Sequence, residues 1–388
     1  MTTRPDVIIV GAGIVGAACA YYLSRGGMRV TVLDAGFAGG GTTAAGMGHI
    51  VVMDDSAAQF ALTFWSQRLL DALLPGLPAS AEFERRGTLW VAEDESQFES
   101  ARAKLSFYES RGVHAELVDA GGLARAEPML RPGLAGGLRV PGDGVVYPPG
   151  VACWLLDEAT RAGATVREGV TVDAIHGRGV TTPTGRLDAG HVINAAGAAA
   201  SKLTPGLPIV PRKGHLVITD RAPGFCRHQV VELGYLQSAH TMTATSVAFN
   251  VQPRATGQLL IGSSRELAGW DPSVNRTVLS RMLARAAAFM PGLARLPAIR
   301  TWTGFRPATP DKLPLIGRWP AVEGLWIAAG HEGLGITTAL GTGSMLADLV
   351  LQRSPGIDPA PFAPDRVMVE ADSPSLPEGE GAGVRGRR

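Results

Sequence analysis

Residues 6–16 constrain this chain more than any others. DVIIV at Asp6–Val10 reads as a strand buried on both faces, and it runs directly into Gly11-Ala12-Gly13-Ile14-Val15-Gly16. The apolar spacing from Ile14 to Arg25 predicts a helix that stops at Gly26-Gly27, and the next apolar run, VTVLD, closes at Asp34. Strand, glycine turn, helix and strand make a βαβ unit, which calls for a parallel sheet covered by helices. GxGxxG in that setting has a physical meaning. Gly11 allows the tight turn, Gly13 lets the backbone approach a pyrophosphate, and Gly16 permits close helix–strand packing, while the helix N-terminus offers N–H donors and a positive dipole end. Asp34 stands where a carboxylate accepts hydrogen bonds from ribose hydroxyls, and its charge would repel a 2′-phosphate, which argues against NADP. The apolar stretch Val7–Leu23 is too short and too glycine-interrupted to span a bilayer, so no transmembrane segment is expected.

NAD and FAD share this fingerprint, and three further segments favour FAD. A glycine-rich loop from Gly36 to Gly48 carries Thr42, Thr43, Ala45, Gly46 and Met47, whose backbone donors suit a larger cofactor. NAAGA at residues 194–198, with Gly197, is another small-residue crossing. Gly330-His331-Glu332-Gly333-Leu334-Gly335 precedes a helix whose N-terminus could face the pyrimidine edge of a flavin. A total of 50 glycines in 388 residues fits a chain with many close backbone approaches. The net charge of +1 leaves no electrostatic footprint for nucleic acid. Three widely spaced cysteines form neither a disulfide framework nor a zinc site, so no metal is expected and a reducing cytoplasm fits.

The expected organisation is α/β, with two interleaved units. Residues 1–80, 140–205 and 300–360 are assigned to an FAD-binding domain, 81–139 and 206–299 to a mainly β substrate domain, and 361–388 to a flexible tail. The Gly/Pro-dense stretch from Arg131 to Gly150 reads as connections between the two, and TWTGFRPATPDKLPLIG as a loop leading back to the first.

Four segments, VIIVGAGIVGAACAYYL, GTTAAGMG, GFRPATPDKLPLIG and AAGHEGLGITTALGTGSMLADL, carry a resemblance to the FAD-dependent D-amino-acid oxidase superfamily, which includes glycine oxidase, sarcosine oxidase and D-amino-acid dehydrogenases. The resemblance implies a Rossmann-type FAD domain with an interleaved substrate domain of the D-amino-acid oxidase type. It implies that Ile14, Val15, Asp34, Ala35, Thr42 and Thr43 contact adenosine and pyrophosphate. Ala45, Gly46 and Met47 would meet the ring system and Val172 the adenine, with Gly330, His331, Glu332, Gly333, Leu334, Gly335, Ile336 and Thr337 lying under the flavin pyrimidine. Arg306, in GFRPATPD, would grip a substrate carboxylate through two parallel hydrogen bonds.

Within the superfamily, GHIVVMDDS and GHEGLGITTALGT resemble the catalytic subunit of bacterial D-hydroxyproline dehydrogenases, which implies small electron-transfer partner subunits and a location in the cytoplasm or peripheral to the inner membrane. Asn250 occupies the place where the family often has an active-site tyrosine. Gly333 stands where glycine oxidases have an arginine, and Leu260 where sarcosine oxidases have a lysine, which weakens the expectation of fast reaction with oxygen. His49, Asp54 and Asp55 follow the flavin loop and are candidates to meet a substrate hydroxyl or amine. The expected reaction is oxidation of a small D-amino or secondary amino acid to its imine, with D-hydroxyproline or D-proline as substrate. A glycine- or sarcosine-type oxidase that produces peroxide is the rival enzyme, and a flavin-bearing scaffold subunit the rival of another class.

Overall fold

The computed structural model describes residues 4–234 and 245–368. A six-stranded sheet runs in the order Leu315–Arg318, Leu325–Ala329, His191–Asn194, Val7–Val10, Val30–Leu33, Thr165–Arg167, and every neighbouring pair is parallel except the first. Val7 to Val10 sit at its centre and are buried on both faces, which is why the run is apolar without alternation. Val7 and Ile9 face the helices Ile14–Arg25, Pro148–Arg161 and Gly335–Val350. Ile8 and Val10 face a small antiparallel sheet that contributes Ile175, Val180 and Leu187. Burial of each of these four side chains contributes about 1.5–3 kcal/mol as an upper bound. Helix Gly335–Val350 crosses helix Ile14–Arg25 so closely that a Cβ on Gly343 would lie 2.6 Å from the Ala18 carbonyl carbon.

An eight-stranded sheet follows the order Ala298–Ala308, Val210–Thr219, Leu259–Glu266, Thr245–Pro253, Gln229–Glu232, Thr88–Ala92, Gly136–Val140, Glu116–Asp119. Its two faces are sorted by the period of two along each strand. Val217, Phe249, Val251, Leu259 and Ile261 pack under helix Arg276–Phe289, which starts at Asn275, whose Oδ1 accepts from the backbone of Thr277 and Val278. Leu216 and Leu260 point the other way, onto Met47 of the glycine-rich loop from Gly36 to Gly48.

Three expectations change, and one helix is new. TWTGFRPA is not a loop of the first unit: Ala298–Ala308 is an edge strand of the eight-stranded sheet, paired from Val210↔Ala308 to Thr219↔Ala298. Its Trp302, Gly304, Arg306 alternation is a strand pattern hidden by the flanking prolines. The stretch 131–150 is more than a connection, because Gly136–Val140 pairs between Thr88–Ala92 and Glu116–Asp119. Gly136 and Gly137 are required there, since Cβ atoms would meet the carbonyl oxygens of Val118 at 2.5 Å and Trp90 at 2.4 Å. The expected tail is packed at its start: Phe362 is buried, and Arg366 pairs with Asp311, while residues 369–388 lie outside the described part. Helix Ala57–Leu73 was not anticipated, although Ser56-Ala57-Ala58-Gln59 is a capping signature, and Ser56 Oγ does accept from Gln59 N. Among the described residues, no helix is long and apolar enough to cross a membrane.

Candidate active site

A cavity of about 600 Å³ lies between the C-terminal ends of the parallel strands and the face of the eight-stranded sheet opposite helix Arg276–Phe289. It contains Gly11, Gly13, Ile14, Val15, Asp34, Ala35, Thr42, Thr43, Ala45, Gly46, Met47, His49, Val172, Gly197, Asn250, Arg306, His331, Glu332, Gly333, Gly335 and Ile336 in its wall. Gly16, Asp54, Gly330, Leu334 and Thr337 are not part of that wall.

The dinucleotide end is shaped by glycine. Gly11 has φ +111°, and a Cβ there would stand 2.5 Å from Ala195 O; one on Gly16 would stand 1.9 Å from Gly11 O. Gly13 differs, because a Cβ there would meet only Thr43 Oγ1, at 3.1 Å, with the cavity beyond. That is a cradle which any larger residue would fill. Gly13 has no side chain to cap the helix, and Thr43 Oγ1 accepts from Ile14 N at 3.0 Å instead. Asp34 accepts through Oδ2 from Ala12 N and through Oδ1 from Gly36 N, both at 2.7 Å, so its carboxylate is fixed at the cavity wall with further lone pairs to spare. These residues fit the phosphate, ribose and adenine of a dinucleotide.

The loop that follows is tied to both sheets. Thr42 Oγ1 donates to Phe305 O at 2.7 Å, Trp302 Nε1 to Ala45 O at 3.3 Å, and Gln252 Nε2 to Met47 O at 2.9 Å. Gly304 accommodates this approach, since a Cβ there would fall 2.5 Å from Ala45 Cβ. On the far side, Thr337 Oγ1 donates to His49 O at 2.8 Å, placing the N-terminus of helix Gly335–Val350 against the same loop. Thr337 thus supports the wall without lining it. Gly330 does likewise, at a positive-φ turn packed on Thr309, and Leu334 packs against the apolar cluster that includes Met53 and Phe60.

Arg306 rises from the edge strand, where it is in register with Arg212, and its guanidinium reaches Gly214, the partner of Gly304, with Nη1 donating to Ser264 O at 2.9 Å. A Cβ on Gly214 would lie 2.2 Å from Nη1 and 2.7 Å from Cζ, so the guanidinium lies directly over a glycine. Ser264 is itself held: His215 donates its backbone N–H to Ser264 Oγ at 2.9 Å, its Nδ1 lies 2.9 Å from the same oxygen, and its Nε2 accepts from Asn275 N at 3.0 Å. Glu332 adopts φ +46° and sets its carboxylate 3.2 Å from Arg265 and 3.7 Å from Arg212. Burial alone would raise its pKa, but Arg265, Arg306 and Arg212 together hold the carboxyl down to about 2. Burial pushes His49 and His331 down to about 3, so both imidazoles are neutral. His331 Nε2 is paired with Thr342 Oγ1, whereas His49 Nε2 has no hydrogen-bond partner among the described residues.

Asp54 departs from the expectation that it meets substrate. Its carboxylate pairs with Lys104, a side chain 3% exposed that also lies over the rings of Trp90 and Tyr108. Asp55 is likewise outside the wall. The sequence reading also missed Gly214, Ser263 and Gly304: Gly214 and Ser263 join Arg306 in the cavity wall only when three distant strands pair, and Gly304 lies two residues before it on the same strand. The one available signal was the alternation Trp302, Gly304, Arg306, which places the glycine and arginine on one strand face.

Residues 6–349 match the family described as FAD dependent oxidoreductase. The chain is 31% identical to a glycine oxidase of Geobacillus kaustophilus (strain HTA426), over 94% of this chain and 97% of that protein. It is 29% identical to a D-amino acid dehydrogenase of Xanthobacter autotrophicus (strain ATCC BAA-1158 / Py2), over 91% and 97%. The crystal structure of glycine oxidase from Geobacillus kaustophilus superimposes with a TM-score of 0.84 at 29% identity, covering 93% of this chain and 98% of that one. A dinucleotide cradle, a second sheet facing it and a match that spans nearly the whole chain agree: this chain belongs to the FAD-dependent oxidoreductase family.

Proposed function

We propose that this enzyme oxidises a small D-amino or secondary amino acid to its imine, with D-hydroxyproline or D-proline as the preferred substrate. The observation that carries the amino-acid reading is Arg306, the one arginine in the cavity wall among the described residues, backed by a glycine and fixed through Ser264. Bound FAD supplies the hydride acceptor for the α-carbon hydrogen. The six-stranded unit would hold the dinucleotide through Gly11, Gly13, Ile14, Val15, Asp34, Ala35, Thr42, Thr43 and Val172. The eight-stranded unit would present substrate, its carboxylate in the fork of Arg306. That grip fixes the α-carbon and turns an encounter into a reactive geometry. Gly335 and Ile336 open a 16-residue helix at the wall, where a positive dipole end stabilises developing negative charge. Among the described residues of the wall, burial makes His49 and His331 weak bases and arginines hold Glu332 as a weak one, so the substrate amine would enter uncharged.

The proline reading rests on GHIVVMDDS and GHEGLGITTALGT, and on Leu260, which sits in an apolar cluster with Met47 and Leu216 where a lysine would favour oxygen. Electrons would then pass to a dye, a quinone or a small partner subunit. The likeness to glycine oxidase favours a second reading, an oxidase of glycine or sarcosine. Anaerobic mixing with cis-4-hydroxy-D-proline, D-proline, glycine, sarcosine and D-alanine, followed by flavin bleaching, separates the two. A preference for glycine or sarcosine, or peroxide formed as fast as dye is reduced, would overturn the proline reading. Bleaching by none of them would overturn the amino-acid reading.

A further inference from the structure

Two buried polar atoms in the cavity wall have no hydrogen-bond partner among the described residues on the sheet that carries Arg306: Asn250 Oδ1 and Ser263 Oγ. The two residues are 3% and 2% exposed. Buried polar atoms are ordinarily satisfied, and an orphaned pair inside a cavity marks where a ligand completes the bonding. They belong together. Asn250 is in register with Gly262, which has no side chain to come between them, and Ser263 is the next residue. Ser264, one residue further, supplies the carbonyl that anchors Arg306. A carboxylate in the fork of Arg306 therefore leaves the rest of a small substrate beside Asn250 and Ser263.

We infer that Asn250 and Ser263 recognise an uncharged hydroxyl on the substrate, so that hydroxylated amino acids are the favoured substrate class. The inference rests on reading the cavity as an amino-acid site. Chemistry selects the group. Asn250 Oδ1 only accepts, and Ser263 Oγ both donates and accepts, so a hydroxyl that donates to the first and accepts from the second satisfies both. A second carboxylate or ammonium would find no opposite charge at this pair, and its desolvation would go uncompensated. Asp54, one of the three residues expected to meet a substrate hydroxyl or amine, is taken by Lys104. A site built around a hydroxyl discriminates strongly against the analogue lacking it, because the wall atoms then stay unpaired.

The test uses FAD-loaded enzyme in anaerobic stopped-flow, which gives substrate Kd and flavin reduction rate separately, for cis-4-hydroxy-D-proline against D-proline and D-serine against D-alanine. Wild type is expected to bind the hydroxylated member at least about tenfold more tightly in the pair it turns over. Ser263→Ala and Asn250→Ala, checked for FAD content and thermal midpoint, should bring that ratio toward one, while Ser263→Thr should keep most of it. A wild-type ratio near one, or a ratio untouched by both alanine variants, overturns the inference and leaves amino-acid oxidation standing. Should an alanine variant fail to fold, the wild-type ratio and Ser263→Thr still decide. Flavin reduction by no amino acid would instead overturn the underlying reading, and this inference with it.

Discussion

Gly214→Ala isolates the position of Arg306 from its presence. The new methyl would be built 2.2 Å from Nη1 and 2.7 Å from Cζ and Nη2 of Arg306, so its three nearest neighbours all belong to that one flexible side chain. Ordinary contact begins near 3.4 Å, so the guanidinium must retreat by at least about 1.2 Å. The retreat is cheap for folding, because the end of a long side chain moves while the strand backbone stays. Replacing a strand glycine by alanine even recovers about 0.5–1 kcal/mol of conformational entropy. It is expensive for catalysis, since displacement of an orienting group by about 1 Å costs on the order of 100-fold in rate. The expected outcome is a variant with full FAD content, a thermal midpoint at or above wild type, and flavin reduction by substrate slowed on the order of 100-fold. The assay is anaerobic flavin bleaching under saturating substrate, with FAD occupancy read from the absorbance ratio. Wild-type reduction in a fully loaded Gly214→Ala would mean that Arg306, as placed over Gly214, does not orient the substrate.

The nucleotide half of this fold was legible because its signals are local. Gly11, Gly13, Gly16 and Asp34 lie within one βαβ unit, and the helix expected from Ile14 to Arg25 spans those residues in the structure. The substrate half was legible only in outline. Edge strand Ala298–Ala308 looks like a loop because Pro307 and Pro310 flank its end, and only pairing with Val210–Thr219, some 90 residues earlier, makes it a strand. Gly214 and Ser263 carry no motif of their own. Their meaning comes from lying beside Arg306, which requires the sheet register that periodicity cannot supply. Asp54 was misread for a related reason: its partner, Lys104, is brought to it by a separate helix, Glu95–Glu109.

Three more outcomes test the physical account. Gly16→Ala should abolish FAD-loaded protein, since its Cβ would lie 1.9 Å from a backbone oxygen that cannot rotate away; soluble, yellow variant protein at wild-type yield would contradict the packing. Asp54→Asn should destabilise by about 3–5 kcal/mol in urea titration, because it strands the buried Lys104 ammonium, and a loss of substrate affinity without that destabilisation would restore Asp54 to the site. The third concerns Asp143, which is fully buried and whose Oδ1 accepts from Val52 N and Gln67 Nε2. Burial raises its pKa from 3.8 to about 7. The folded state therefore keeps a proton that the unfolded chain has already lost between those values, so Asp143 makes stability fall as pH rises through that window. His49 and His331 act in the opposite sense, because burial lowers both from 6.5 to about 3 and only the unfolded chain is protonated in between. Asp143→Asn keeps the Oδ1 acceptor and removes the titration. Relative to wild type, the variant should gain about 1.4 kcal/mol of stability per pH unit from pH 5 to pH 6.5, measured by urea unfolding at constant excess FAD. Wild-type and variant stabilities that run parallel across that range would show that Asp143 is ionised inside the fold, and would refute the assignment of a neutral buried carboxyl beneath the loop that carries His49.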